Sequence, residues 1–189
     1  MRSTGRPLGT VVLACLAALI PAAALADAPS AGPDSVLATG GAPAPIAAST
    51  PKCATSGLVV WLDTQGNGTA GSTYYTLEFT NLSGHTCTLG GYAGVSAVDL
   101  AGHQLGSAAS RDKATSPHTI TLAAGASATA VLRIVEAGNF PGSACHQVTA
   151  AGLRVFPPNL TTSKVVPFPF PACSRSGPVY LSVRAVKHA

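Results

Sequence analysis

Apolar and polar residues alternate with period two through most of the chain beyond Cys53. In Tyr75-Thr76-Leu77-Glu78-Phe79-Thr80 the apolar side chains face one way and Thr76, Glu78 and Thr80 the other, the pattern of a half-buried strand. Ala130, Leu132 and Ile134 alternate with Val131, Arg133 and Val135. Val179, Leu181, Val183 and Ala185 alternate with Tyr180, Ser182 and Arg184. Further runs at 58–62, 92–100, 118–122, 148–156 and 164–168 have the length and composition of strands. Turn-forming residues separate these runs: Gly66-Asn67-Gly68, Ser83-Gly84, Gly90-Gly91, Ala101-Gly102, Gly125 and Pro157-Pro158-Asn159. No segment of this region sustains a capped helical period. About eight or nine short strands at this spacing predict an all-β domain, an immunoglobulin-like β-sandwich. Trp61, the only tryptophan, is expected in or beside the core on the first strand.

Before Cys53 the pattern is different. Arg2 and Arg6 precede an apolar run from Leu8 to Ile20, then come Pro21 and Ala24-Leu25-Ala26 ahead of Asp27. A basic start, a short apolar run and an Ala-x-Ala end predict a secretory signal peptide over 1–26, cleaved after Ala26. The run falls short of the roughly 20 apolar residues of a stable span. Lipid anchoring at Cys15, with Val12-Leu13-Ala14-Cys15 as a degenerate lipobox, is a competing reading. Against it, the apolar run before Cys15 is short and continues well past it. An uncleaved anchor is a third. Residues 27–51 are almost entirely Ala, Pro, Gly, Ser and Thr. They have too few large side chains to offset the entropy of ordering, so a disordered tether stiffened by proline is expected. It would hold the domain at 52–187 away from an envelope surface, or serve as a passive leader.

Removing Arg2 and Arg6 from the 11 basic residues leaves nine against 7 acidic ones, a net charge of about +2. No Lys/Arg run occurs, so nucleic acid is not an expected partner. Charged residues make up 10% of the chain, which leaves a surface rich in Ser, Thr, Gly and Ala. Of the 5 cysteines, Cys15 lies in the signal and the other four form an even set, which in an exported chain reads as two disulfides. If 148–156 and 164–170 form a hairpin about Pro157-Pro158-Asn159, then Cys145 and Cys173 are equidistant from 159 and fall opposite each other. Cys53 and Cys87 are likewise symmetric about 70. Cys145–Cys173 and Cys53–Cys87 are therefore the expected pairs, each stabilising by roughly 2–4 kcal/mol.

The stretch Phe79-Thr80-Asn81-Leu82-Ser83-Gly84-His85-Thr86-Cys87-Thr88-Leu89-Gly90-Gly91-Tyr92-Ala93-Gly94-Val95 resembles the signature of the DUF4232 family. Similar matches are Gly102-His103-Gln104-Leu105-Gly106, Thr121-Leu122-Ala123-Ala124-Gly125 with Ala128, and Ala151-Gly152-Leu153-Arg154-Val155-Phe156-Pro157-Pro158. The four cysteines also fall where that family has them. Ala93 and Ala124 stand where the family usually has proline. The resemblance implies an extracytoplasmic β-sandwich, secreted or lipid-anchored, of actinobacterial type and unassigned function. It carries over no catalytic or binding residue.

Candidate chemistry is sparse. Two Ser-x-x-Lys strings, Ser49 to Lys52 and Ser110 to Lys113, lack the helix and partner motifs of a serine acyl-enzyme. Ser96 in Gly94-Val95-Ser96-Ala97-Val98 lacks the second glycine of a nucleophile elbow. A Ser/His/Asp triad is able to assemble from distant positions, and Asp63, Glu78, Asp99, Asp112 and Glu136 are the acids available for a carboxylate pair. His85 beside Cys87 and Cys145 beside His146 place imidazole next to sulfur, but oxidised cysteines are poor ligands. Asn67, Asn81 and Asn159 meet the glycosylation pattern. The expectation is a secreted, non-enzymatic module without metal or cofactor. It binds an envelope protein or wall polymer and has no membrane span after signal cleavage. The alternative is an envelope-acting hydrolase.

Overall fold

A computed structural model describes residues 49–189; the expected signal with Cys15, and the expected tether up to residue 48, lie outside the described residues. The strands are β1 Leu58–Thr69, β2 Ser72–Asn81, β3 Cys87–Gly90, β4 Gly94–Val98, β5 Gln104–Leu105 and β6 Ser110–Asp112. They continue as β7 Thr119–Leu122, β8 Ser127–Val135, β9 Gln147–Phe156, β10 Lys164–Cys173, β11 Leu181–Arg184 and β12 Lys187–His188. A one-turn helix, α1 (Gly142–Cys145), and 3-10 turns at Thr55–Gly57 and Ala137–Asn139 complete the elements. The six-stranded sheet has the order β1-β2-β8-β11-β6, with β12 also on β8; the four-stranded sheet is β10-β9-β4-β5, and β3 pairs with β7. All ladders are antiparallel except β11 with β6. One core cluster joins Leu77, Phe79, Ala130, Leu132 and Val183 of the larger sheet to Val95, Ala97, Leu153, Val155 and Phe170 of the smaller. The fold is all-β and sandwich-like.

Period-two alternation accounts for the core directly. On β8, Ala128, Ala130, Leu132 and Ile134 are buried while their neighbours are half-buried. The strand tally differs from the expected eight or nine because β5, β6 and β12 are only two or three residues long, too short to leave a period. β1 is longer than expected. It runs through Gly66-Asn67-Gly68, where its register against β2 shifts, and the chain turns instead at Ala70-Gly71, both at positive φ. Asn139 and Glu136 hold this tip by donating to the Gly71 carbonyl at 2.8 and 2.9 Å.

Two placements overturn the expectation. Trp61 is 44% exposed rather than in or beside the core. Leu58 and Leu62 take the inward face of β1, and strand parity turns Val59 and Trp61 outward. Tyr180 is fully buried, whereas alternation placed it outside with Ser182 and put Val179, which is exposed, inside. β11 starts only at Leu181, so Tyr180 precedes the strand; its hydroxyl donates to the Leu105 carbonyl at 3.0 Å. At the sheet edge, β10 carries exposed Pro167, Pro169 and Pro171. Proline has no backbone N–H to offer another chain, which suits an outermost strand.

Asn81 ends β2 with its side chain fully buried. Its Nδ2 donates to the carbonyls of His85, Leu122 and Ala123 at 2.8, 3.0 and 3.1 Å. Its Oδ1 accepts from the Ser83 N–H and hydroxyl at 3.1 and 2.6 Å. One side chain therefore satisfies the 82–86 loop and the end of β7 together. Asn81→Ala is expected to lower stability by about 2–4 kcal/mol, because it strands buried polar groups. Asn81→Asp should do worse at neutral pH, since it turns a carboxylate oxygen toward three carbonyls. Urea melts read both; an Asn81→Ala midpoint equal to wild type would remove Asn81 as a structural anchor.

Burial pushes the Tyr180 hydroxyl from 10.0 up to about 12. A folded value above the unfolded one means that this contribution is complete below pH 10 and lost as pH rises toward 12. The loss is on the order of 2–3 kcal/mol. Tyr180→Phe should therefore show a shallower decline of stability over that window in alkaline melts. A slope identical to wild type would contradict the assignment.

Candidate functional site

The β3–β7 ladder shapes one open end of the domain. Gly90 pairs with Thr119, and a Cβ at Gly90 would lie 2.6 Å from the His118 carbonyl, so only glycine lets β7 come this close. Gly91, at φ 103°, redirects the chain into Tyr92, which bridges to Ala185. The β9–β10 turn reaches the same corner. Asn159 takes the left-handed conformation at φ 59° and donates from Nδ2 to the Gly90 carbonyl at 2.7 Å. Asparagine tolerates that conformation better than most residues.

These segments enclose an open groove of about 310 Å³, floored by Gly90 and Gly91 and walled by Tyr92, Arg111, His118 and Asn159. A narrower cavity of about 60 Å³ shares Gly90, Thr119 and Asn159 with it and adds Lys52 and Leu160. A third, of about 90 Å³, has Arg184 and Lys187 among its lining residues. None of the three is lined by a carboxylate. The Arg111 guanidinium lies 5.6 Å from the centroid of the Tyr92 ring, within cation–π range. The Tyr92 hydroxyl donates to the Thr115 carbonyl at 3.3 Å. On the other face of β6, Arg184 Nε donates to Asp112 Oδ2 at 2.8 Å. That bond, reinforced by the Ala114 N–H, holds the Asp112 carboxyl below its ordinary value.

The disulfides are Cys53–Cys87 and Cys145–Cys173, with Cα separations of 4.9 and 4.5 Å. Their geometry is not simply two hairpins continued. Cys145 closes α1, two residues ahead of β9. Cys53 belongs to a segment running parallel to β3: Cys53 N–H donates to Thr88 O, and Thr88 N–H to Pro51 O. Pro51, at the end of the expected tether, is thus already tied to the domain.

Other candidates are dispersed. His146, at φ 47°, has Nδ1 2.8 Å from Ser174 Oγ, and that hydroxyl also donates to the His146 carbonyl. His103 Nδ1 lies 3.1 Å from Asp99 Oδ2, in an exposed pair. The His103 N–H is the main cause holding the Asp99 carboxyl below its ordinary value. One contact is serine–histidine and the other histidine–carboxylate, and they lie on separate loops. Asp63 and Glu78 are diagonal neighbours on the outer sheet face, with Trp61 opposite Glu78. Ser96 is buried mid-strand on β4. Ser110 lies on β6, with its hydroxyl 3.4 Å from the Leu181 carbonyl. His85 Nδ1 lies 3.2 Å from the Ser83 carbonyl.

The sequence reading did not single out the groove. Tyr92 and Pro157-Pro158 stood in its family motifs, but Arg111 comes from a short strand without any pattern of its own.

Fold, staples and groove define an all-β, disulfide-linked domain with an open, cation-bearing site. The model of a domain of unknown function (DUF4232) matches residues 53–187, and the chain belongs to that family. No curated protein and no solved structure matches it.

Asn159→Ala removes the bond to Gly90 and places alanine at positive φ. A loss of about 1–3 kcal/mol in thermal melts is expected. Asn159→Gly, which relieves only the backbone strain, should recover part of it; glycine performing no better than alanine would contradict the φ argument.

Proposed function

We propose that this protein is an exported, non-enzymatic binding module of the cell envelope, and that it engages a partner protein or wall polymer through the Tyr92–Arg111 groove. The observation that carries this reading is the guanidinium of Arg111 over the Tyr92 ring. Arg111 is exposed, lines the groove and, among the described residues, has no hydrogen-bond or carboxylate partner, so its donors are not committed within the domain. The two disulfides support an oxidising compartment, in keeping with the signal-like start of the sequence.

One contact favours a second reading. The 2.8 Å approach of His146 to Ser174 has the spacing of a base-activated serine, although it forms beside a disulfide and without a carboxylate, and the hydroxyl proton must first leave the His146 carbonyl before Nδ1 can accept it.

In-cell crosslinking of the full chain in its own host, followed by purification, tests both. Recovery of an envelope protein or wall polymer, reduced by Arg111→Ala, is the expected result. Labelling of Ser174 by a fluorophosphonate would instead favour hydrolysis. Recovery of nothing would count against the binding module.

A further inference from the structure

We infer that the ligand of this groove is an acidic polysaccharide, recognised through a carboxylate or phosphate oxyanion held by Arg111, with Lys52 engaging a second charge along the same path. This rests on the binding-module reading and specifies its ligand.

The inference begins with charge. From Lys52 onward the chain has nine basic residues against five acidic ones, and the two contiguous cavities carry Lys52, Arg111 and His118 and no carboxylate. Two of those nine cations, Lys52 and Arg111, thus face connected space with no carboxylate lining it. No Lys/Arg run in the sequence announces it, because Lys52 precedes β1, Arg111 sits on β6 and His118 leads into β7.

Geometry narrows the chemistry further. The Arg111 guanidinium lies over the Tyr92 ring, 5.6 Å from its centroid, and makes no hydrogen bond among the described residues. A planar fork of donors matches the two oxygens of a carboxylate or phosphate, a match that a lysine ammonium does not make. Lys52 adds a point charge from a different direction. Its neighbour Cys53 is tied to Cys87, and the parallel bridge to Thr88 holds its backbone beside β3. The two cations lie in separate cavities that share Gly90, Thr119 and Asn159, so the site extends further than a single ion requires. Two anchoring points suit a chain with repeated charges.

The walls favour a sugar over a nucleobase. Tyr92 is the only Phe, Tyr or Trp lining either cavity, and Arg111 already lies over its ring. No row of free aromatic faces is present to stack successive bases. Asn159 and Thr119 instead offer short polar side chains suited to hydroxyls.

The full chain, as its host processes it, should be titrated calorimetrically with polygalacturonate, phosphomannan, dextran and a single-stranded oligonucleotide. Tight binding to at least one of the two acidic glycans, and not to neutral dextran, is expected. Polygalacturonate alone would identify carboxylate as the oxyanion, and phosphomannan alone would identify phosphate. Arg111→Gln should weaken binding about tenfold or more. Arg111→Lys, which keeps the charge but loses the fork, should fall between it and wild type. Lys52→Gln should weaken binding and flatten its salt dependence. Arg175→Gln, at the opposite end of the β9–β10 hairpin from Asn159, should change nothing. Arg111 is exposed, so melting temperatures should match wild type.

The inference is overturned if neither acidic glycan outbinds dextran, if Arg175→Gln costs as much as Arg111→Gln, or if the oligonucleotide binds most tightly. Crosslinked recovery of an envelope partner, with no binding to either acidic glycan, would remove the oxyanion proposal and leave the module reading standing. Failure of both experiments would remove both.

Discussion

The buried amide of Asn81 ties the end of β2 to the β3–β7 ladder on which the groove is built. A neutral amide with no access to water must find its partners inside the protein, or the fold forfeits the cost of desolvating it. Asn81 finds them in the 82–86 loop and at Leu122 and Ala123, the end of β7. The backbone adds two bonds, Asn81 N–H to Ala126 O and Gly125 N–H to Asn81 O. The loop delivers the chain into β3, and β3 forms its ladder with β7. The near end of the two-stranded sheet is thus tied to the end of β2 by this side chain and its flanking backbone. Gly90 lies at the far end of that sheet, paired with Thr119 and held through its carbonyl by Asn159.

The groove then follows from close approaches. A Cβ at Gly90 would meet the backbone of β7, so the β3–β7 pairing is tight where the floor forms. Asn159 brings the β9–β10 turn over the same glycine, and the Cys53–Cys87 bond brings the segment carrying Lys52 alongside β3. Four chain segments, far apart in sequence, meet without burying any of the groove's cations. A disulfide acts chiefly by limiting the unfolded chain. Here it also fixes which residues stand at the rim.

Much of this fold was legible because strands alternate. Leu77, Phe79, Ala130, Leu132 and Ile134 are core residues for the reason their spacing suggested. The disulfide partners were legible from symmetry about two turns, although Cys53 reaches Cys87 through a parallel segment rather than an extended hairpin. Trp61 was misread because size and apolarity were weighed above parity: Leu58 and Leu62 had already claimed the inward face of β1. Tyr180 was misread because the alternation of β11 was extended two residues ahead of the strand's start, to Val179. The groove left almost no trace. Tyr92, Arg111 and Asn159 come together by topology, and a three-residue strand such as β6 has no period to detect.

That three-residue strand also explains why the groove carries a free positive charge. Successive strand residues point to opposite faces, so Arg111 and Asp112, adjacent in sequence, are kept from neutralising each other. Asp112 turns to Arg184, its partner in the parallel ladder, and that pair is internally balanced. Arg111 turns to Tyr92, whose ring offers attraction without negative charge. An aromatic face orients a guanidinium yet leaves its formal charge and its in-plane donors uncommitted. Had β6 been a loop, the arginine and the aspartate could have closed on each other. Its pairing with β11 holds them apart, and that separation leaves this end of the domain a guanidinium with no carboxylate partner.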